Sequence, residues 1–200
     1  DARVQRLLDL ALLMAEVRVV RRWARPRAGA ARPQAAQRRL VGIGASTGGP
    51  PVLRAILSGL PEGFALPVLV VQHIAPGFLP ALVEWLQHGT RLRVGIAEHG
   101  TLPQPGCVYL APDGWQMAVD ADGRIALGRR STVPGGGPSV ASLFRSLAQT
   151  SGPAAIGVLL TGMGKDGAAE LCAMKERGAV TIAQDGASSV VHGMPGEAIA

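Results

Sequence analysis

Residues 40–60 read LVGIGASTGGPPVLRAILSGL, and the fold prediction starts from this stretch. The short apolar run at residues 40–43 predicts a buried strand, and residues 50–60 predict a helix. The glycine-rich turn between them is typical of a tight junction from strand to helix. A strand that leads directly into a helix is the unit from which parallel sheets are built.

The same alternation of strand and helix continues along the chain. Further apolar runs predict strands at residues 67–72, 92–97, 107–110, 155–160 and 180–183. Helical patterns follow at residues 80–87, 139–149 and 168–176. Residues 116–119 and 124–127 alternate around Asp122-Gly123, which is a hairpin signal. We therefore predict an α/β fold with a doubly wound, mostly parallel sheet, helices on both faces and a small antiparallel hairpin.

The basic charge of the chain is confined to its first part. The first forty residues hold ten arginines against three acidic residues, a net charge of +7, whereas the rest carries a net charge of −1. Residues 3–23 have one apolar face at helical spacing, and residues 24–39 have the Ala, Arg and Pro composition of a linker. We divide the chain into an amphipathic helix with its linker, residues 1–39, and a compact domain, residues 40–200.

Composition excludes several classes of function. Aromatic residues make up 4% of the chain, too few for a surface that stacks nucleic-acid bases, so no nucleic-acid partner is expected. No apolar run reaches the length of a membrane span, so no membrane insertion is expected. Cys107 and Cys172 are far apart and match no metal-binding spacing; we expect two buried thiols in a reducing compartment.

Polar side chains with catalytic chemistry follow three of the predicted strands. Ser46 follows the first, His73 the second and Asp166 the strand at residues 155–160. Because sites in such sheets lie at the carboxyl ends of the strands, we expect these side chains at one edge. A serine hydroxyl needs a base, and the base needs a carboxylate to orient it. The pattern predicts a hydrolase of esters or amides, with Ser46 as nucleophile, His73 as base and Asp166 as orienter.

The loop around Ser46 fits the glycine-x-serine-x-glycine elbow, with Gly44 and Gly48 flanking the serine. We expect the helix that begins beyond this loop to add free N–H groups and its positive dipole end for an oxyanion. The Met163 side chain is expected to pack, while its backbone N–H is a candidate for the site. The order Ser, His, Asp differs from that of the α/β-hydrolase fold, which indicates a separate origin.

Each of these residues also has a structural interpretation. Glycine-rich turns often bind phosphate or merely reverse the chain, His73 fits a core histidine, and Asp166 fits a cap for the helix that follows it. Among the other histidines, His88 and His99 are typical of surface turns. His192 fits a site-lining position but has no evident partner in the sequence.

Two other functions stay open from the residues alone. Gly42, Gly44 and Gly48 loosely imitate a dinucleotide-binding fingerprint, but that motif expects an acidic residue where the second strand ends in Gln72-His73. A binding module without catalysis, whose arginine-rich segment contacts acidic partners, is the other alternative.

Five motifs in order resemble the methylesterase domain of the CheB family, chemotaxis enzymes that demethylate receptor glutamates. They are VGIGASTGGPP (41–51), VVQHI (70–74), GCVYLAPDG (106–114), LLTGMGKDGA (159–168) and AQDGASSVVHGMP (183–195). The resemblance covers roughly residues 40–200. Residues 14–23 resemble the linker that joins the receiver domain of this family to its catalytic domain.

The resemblance implies a role for each matching residue. Ser46 matches the family's nucleophile, His73 its histidine and Asp166 its aspartate, while Thr47 and the backbone of Met163 match positions around the oxyanion. The implied substrate is a glutamate methyl ester on methyl-accepting chemotaxis receptors, with glutamine deamidation in many members. The implied location is cytoplasmic, the implied further partner is a phosphorylatable receiver domain outside this chain, and no metal or organic cofactor is implied.

One segment departs from the family pattern. Family members often have Arg-Pro-Ser-Val-Asp where this chain has Gly137-Pro138-Ser139-Val140-Ala141. The missing arginine and acid bear on receptor docking or substrate fit and not on the triad.

Overall fold

The computed structural model describes residues 40–129 and 138–200. The described residues contain eight strands: β1 (Leu40–Ala45), β2 (Val68–Gln72), β3 (Arg93–Ile96), β4 (Cys107–Leu110), β5 (Trp115–Val119), β6 (Ile125–Arg129), β7 (Ala155–Leu159) and β8 (Val180–Ala183). Six of them form one sheet in the order β3-β4-β2-β1-β7-β8, and every pairing in it is parallel. The other two, β5 and β6, form an antiparallel hairpin.

The described helices are α1 (Gly49–Gly59), α2 (Leu79–Gln87), α3 (Val140–Thr150), α4 (Ala168–Glu176) and α5 (Met194–Ile199). The α/β fold and the hairpin are therefore confirmed, and the main sheet is wholly rather than mostly parallel. Helix α5 was not predicted, because its six residues are too few to show a helical period. The helix and linker predicted within residues 1–39 lie outside the described residues.

Helices cover both faces of the sheet, as the apolar strands require. On one face, α1 and α2 bury Leu53, Leu57 and Leu86 against the strands. On the other face, α3 and α4 bury Phe144 and Met174. The central strands β1, β2 and β7 are covered on both faces, which explains why their sequences are almost wholly apolar, whereas the edge strands β3 and β8 have exposed residues.

Helix α3 packs directly on the central strand β1 at two glycines of that strand. A Cβ atom added to Gly42 would collide with Leu147, and one added to Gly44 would collide with Val140. The hairpin packs against α3, where the Ser146 hydroxyl accepts a hydrogen bond from the Val119 N–H at 2.9 Å. The start of α3 is thereby held beside the carboxyl ends of the central strands.

The topology leaves a crevice at one edge of the sheet. Strand β1 lies between β2 and β7, with α1 after β1 on one face and α4 after β7 on the other. The loops after β1 and β7 therefore diverge, and such a switch point is where open α/β sheets bind ligands.

One expectation about the cysteines is wrong. Cys107 is buried, but Cys172 is exposed. In α4 the buried positions are Ala168, Leu171 and Met174, and residue 172 lies off that stripe on the helix surface. No helix in the described part of the chain is both long and apolar enough to cross a membrane.

Candidate active site

Ser46 lies directly after β1, in a sharp turn at the crevice. Its N–H donates to the Thr161 carbonyl at 3.0 Å, and its own carbonyl accepts the Gly49 N–H at 2.8 Å. Gly48 has a φ of 78°, which favours glycine, and a Cβ there would press on Val190. The turn thus leaves the Ser46 side chain half-buried at the carboxyl edge of the sheet.

His73 lies next to this turn because β2 pairs with β1. The His73 N–H donates to the Ala45 carbonyl at 2.9 Å, one residue before Ser46. The His73 ring contacts Asp166 through Nε2, at 2.9 Å from Oδ2. The nitrogen left to take a proton from a nucleophile is therefore Nδ1. Within the described residues no hydrogen bond joins Ser46 Oγ to His73, and in ligand-free sites such bonds often tighten only when substrate binds.

The carboxylate of Asp166 caps the start of α3. Its Oδ1 accepts the Ser139 hydroxyl at 2.9 Å and the Ala141 N–H at 3.0 Å, and its Oδ2 accepts the Val140 N–H at 2.8 Å. The alternative that Asp166 caps the helix after it is wrong, since α4 begins after Gly167 with no side-chain cap. Ser139 was missed as a site residue, although a serine just before a helix signals a helix start.

These contacts keep Asp166 ionised. Burial alone would raise the pKa of its carboxyl group, but hydrogen bonds from His73, Ala141, Val140 and Ser139 outweigh it. Together they lower the pKa of Asp166 from 3.8 to about 2. The positive end of the α3 dipole acts in the same direction. A carboxylate that stays charged at neutral pH is what an imidazole base needs as a partner when it becomes a cation.

The N–H of Thr47 is free to bind a ligand. The Ser46 carbonyl in the same peptide unit accepts hydrogen bonds from Gly49 N and Gln72 Nε2, both at 2.8 Å. In a trans peptide the N–H points opposite to the carbonyl, so the Thr47 N–H points away from these donors. No hydrogen bond within the described residues engages it.

The direction of the Met163 N–H is also set by a hydrogen bond to the carbonyl of its own peptide unit. The Gly162 carbonyl accepts the Met194 N–H at 2.9 Å, so the Met163 N–H points the opposite way. A Cβ on Gly162 would lie 2.6 Å from Ser46 Cβ, which shows how closely this loop approaches the serine. The Met163 side chain is 73% exposed, so the expectation that it packs is wrong.

The expectation that α1 adds free N–H groups is also wrong. Its first turn is Gly49-Pro50-Pro51, and the two prolines have no N–H. The Gly49 N–H donates to the Ser46 carbonyl. The candidate oxyanion donors are therefore the loop N–H groups of Thr47 and Met163, and not those of the helix.

Comparison with known proteins decides the family. The family model described as CheB methylesterase matches residues 41–200. The chain belongs to the CheB methylesterase family. The solved catalytic domain of the CheB methylesterase from Thermotoga maritima is 36% identical, with a TM-score of 0.76 over 82% of this chain and 88% of that one.

Named relatives of this CheB-family chain are similar over almost its whole length. The protein-glutamate methylesterase/protein-glutamine glutaminase of Nitrosospira multiformis is 49% identical over all of this chain and 59% of its own length. A similarly named protein of Geobacter metallireducens is 52% identical over 94% of this chain and 56% of its own length. The protein-glutamate methylesterase FrzG of Myxococcus xanthus is 45% identical over 94% of this chain. The chain thus spans less than two thirds of the length of the Nitrosospira and Geobacter relatives.

The contacts of the glycines argue against the dinucleotide alternative in this CheB-family domain. The faces of Gly42 and Gly44 are covered by α3 and are not open to a pyrophosphate. The other histidines bond to the backbone: His88 to Glu84 O at 2.8 Å, His99 to Leu127 N at 3.1 Å and His192 to Gln184 O at 3.1 Å. Among the described residues, no three His, Cys, Asp or Glu side chains gather as a metal site.

The departure from the CheB family pattern at Ala141 leaves the backbone contact with Asp166 in place. Gly137 lies outside the described residues. Ala141 contributes its backbone N–H to Asp166, which any residue but proline could do. Its side chain lines a groove of about 420 Å³ beside Asp166, together with Lys165 and Glu170.

Proposed function

We propose that residues 40–200 form the catalytic domain of a protein-glutamate methylesterase that hydrolyses glutamate methyl esters on methyl-accepting chemotaxis receptors. The observation that carries the proposal is the His73–Asp166 pair, with a 2.9 Å contact, at the switch point beside Ser46. Membership of the CheB methylesterase family supports the same reaction. We propose a cytoplasmic location, where the receptors would present their glutamate methyl esters.

The proposed reaction begins with attack of Ser46 Oγ on the ester carbonyl. His73 Nδ1 takes the serine proton, and Asp166 stabilises the imidazole cation that results. The N–H groups of Thr47 and Met163 donate to the carbonyl oxygen as it becomes an oxyanion. When the C–O bond to the methoxy group breaks, His73 returns the proton and methanol leaves. The ester of Ser46 with the glutamate side chain remains.

The second half of the reaction uses the same groups with water as the nucleophile. Water attacks the acyl-enzyme while His73 removes a proton from it. His73 then passes this proton to Ser46 Oγ as the bond between Ser46 and the acyl group breaks. The products are a glutamate carboxylate and the free enzyme. Deamidation of glutamine is a second candidate function, supported by the names of the Nitrosospira and Geobacter relatives. Ammonia would then leave in place of methanol.

The proposed partners follow from the length of the relatives. Since the Nitrosospira relative is longer than the matched region, which is 59% of it, we propose that a phosphorylatable receiver domain precedes this region. Residues 1–39 would then be the connection between the two domains.

Methanol release from methylated receptor fragments tests the function. The wild-type chain should release methanol, and Ser46→Ala should lose the activity. Ser58→Ala is a matched control, because its exposed hydroxyl bonds only to the Ala55 carbonyl within α1. Equal methanol release by wild type and Ser46→Ala would refute the assignment of Ser46 as the nucleophile. If the wild-type chain released no methanol while a control enzyme did, the proposed substrate would be refuted.

A further inference from the structure

Gln72 is a buried amide at the end of β2 that contacts the backbone of two proposed triad residues. The residue is almost completely buried, with 4% of its surface exposed. Nε2 donates to the Ser46 carbonyl at 2.8 Å and to the His73 carbonyl at 2.9 Å. Both amide hydrogens are therefore used on the loops that carry the nucleophile and the base.

The contacts fix which way the Gln72 amide faces. With the group reversed, Oε1 would lie against two carbonyl oxygens, where no hydrogen bond can form. In the observed orientation Oε1 has no partner, and it is the one buried side-chain oxygen or nitrogen of the described residues in that state. A Cβ on Gly49 would collide with this oxygen, so the start of α1 encloses it.

An unpartnered buried oxygen lowers stability, and an apolar side chain of equal length would avoid that cost. What the Gln72 amide adds is two donors. One of them holds the Ser46 carbonyl. Because this carbonyl and the Thr47 N–H belong to the same planar trans peptide, holding the carbonyl also sets the direction of the N–H. The next carbonyl, that of Thr47, accepts the Thr161 hydroxyl at 3.0 Å. The direction of the Thr47 N–H is thus fixed by bonds on both sides of it.

We propose that Gln72 is a positioning residue for the oxyanion hole: it holds the Ser46–Thr47 peptide so that the Thr47 N–H faces the carbonyl oxygen of the substrate. This inference rests on the proposed acyl-transfer function. Gln72 touches no reacting atom and acts through the peptide. Without the Gln72 donor, the Ser46 carbonyl keeps only the Gly49 N–H, so the peptide that carries the Thr47 N–H is held less tightly in the direction of the substrate.

The test is Gln72→Met, which keeps the length of the side chain and removes both donors. We expect kcat to fall by about 10- to 10²-fold, up to the loss found when one oxyanion donor is removed, with KM unchanged. The affinity for a peptide boronic acid, which mimics the tetrahedral intermediate, should fall by a similar factor. The matched control is Gln87→Met, since Gln87 also makes two bonds to backbone, to Leu92 O and Val94 N, away from the site.

Three results would overturn the inference. They are a kcat for Gln72→Met within about threefold of wild type, an equal loss in Gln87→Met, or a loss confined to KM. A second kind of test needs no variant: in the isotope-labelled wild-type chain, magnetic resonance should detect coupling between Gln72 Nε2 and the Ser46 carbonyl carbon across the hydrogen bond to the Ser46 carbonyl oxygen. Its absence would overturn the inference even if Gln72→Met does not fold.

The same design separates this inference from the proposed function. If the wild-type chain releases no methanol from receptor esters, the proposed substrate is wrong. The comparison of Gln72→Met with wild type is then made on p-nitrophenyl acetate, whose acyl transfer to serine needs the same oxyanion donors. If the wild-type chain hydrolyses both the receptor esters and p-nitrophenyl acetate, and Gln72→Met is equally active on both, the inference about Gln72 is refuted and the proposed function stands.

Discussion

The carboxyl group of Asp166 makes folding stability depend on pH in a manner that one substitution can isolate. Its pKa falls from 3.8 to about 2 on folding. At about 1.4 kcal/mol per unit, this difference corresponds to about 2–3 kcal/mol, and solvent screening of the partly exposed carboxyl group reduces the stabilisation of the folded chain to about 2 kcal/mol. Because the folded pKa is the lower one, the contribution is fully present above about pH 5 and is lost as the pH falls through about 4 to 2.

Asp166→Asn removes this titration and keeps the shape of the side chain. Denaturant unfolding of both chains gives two free energies of unfolding at each pH. Their difference should be about 2 kcal/mol larger at about pH 6 than at pH 2, with about half of the change reached near pH 3. Ser46→Ala is the control, since it leaves every hydrogen bond to Asp166 in place, and its pH dependence should follow the wild type.

A difference between wild type and Asp166→Asn that stays constant within about 0.5 kcal/mol from pH 6 to pH 3 would refute the reasoning. It would mean that the four hydrogen bonds do not lower the pKa of this carboxyl group in the folded chain. The cap on α3 would then not hold the aspartate in its charged form.

Three further substitutions test other parts of the site. Ser139→Ala removes one of four donors on Asp166, and steady-state kinetics should show kcat about 3- to 10-fold lower, the effect of one hydrogen bond; an unchanged kcat would contradict the role of the cap. Gly162→Ala places a methyl group against Ser46, and thermal unfolding should show a loss of about 1–3 kcal/mol together with lost methanol release; a variant as stable and active as wild type would contradict the packing. Met163→Pro lacks the N–H that Met163→Ala keeps, so its kcat should be about 10²-fold below that of the alanine variant; equal values would exclude this N–H as an oxyanion donor.

The sequence predicted the sheet well because local patterns determine it. Apolar runs alternating with helical patterns require a parallel sheet covered on both faces, and the structure confirms this. Strand ends also indicated that His73 and Asp166 would come together, and the structure places their side chains in contact. Their catalytic roles stay a prediction, as does that of Ser46.

Other parts of the site depend on contacts that local patterns do not show. The bond between Ser139 and Asp166 joins residues 27 positions apart, and it exists because α3 packs against the glycines of β1. The amide of Gln72 gave a weak signal, as a polar residue that ends an otherwise apolar strand. At the start of α1, by contrast, the sequence itself excludes free N–H groups, because Pro50 and Pro51 have none.

The central claim is that Ser46 forms an acyl-enzyme. Rapid acid quenching of the wild-type chain with p-nitrophenyl acetate, followed by mass spectrometry of its peptides, tests this most directly. The mechanism predicts an acetyl group on Ser46 that accumulates within the burst of nitrophenol, and no such group or burst in Ser46→Ala. An acetyl group on another residue that turns over at the steady-state rate, or hydrolysis by Ser46→Ala at the wild-type rate, would contradict it.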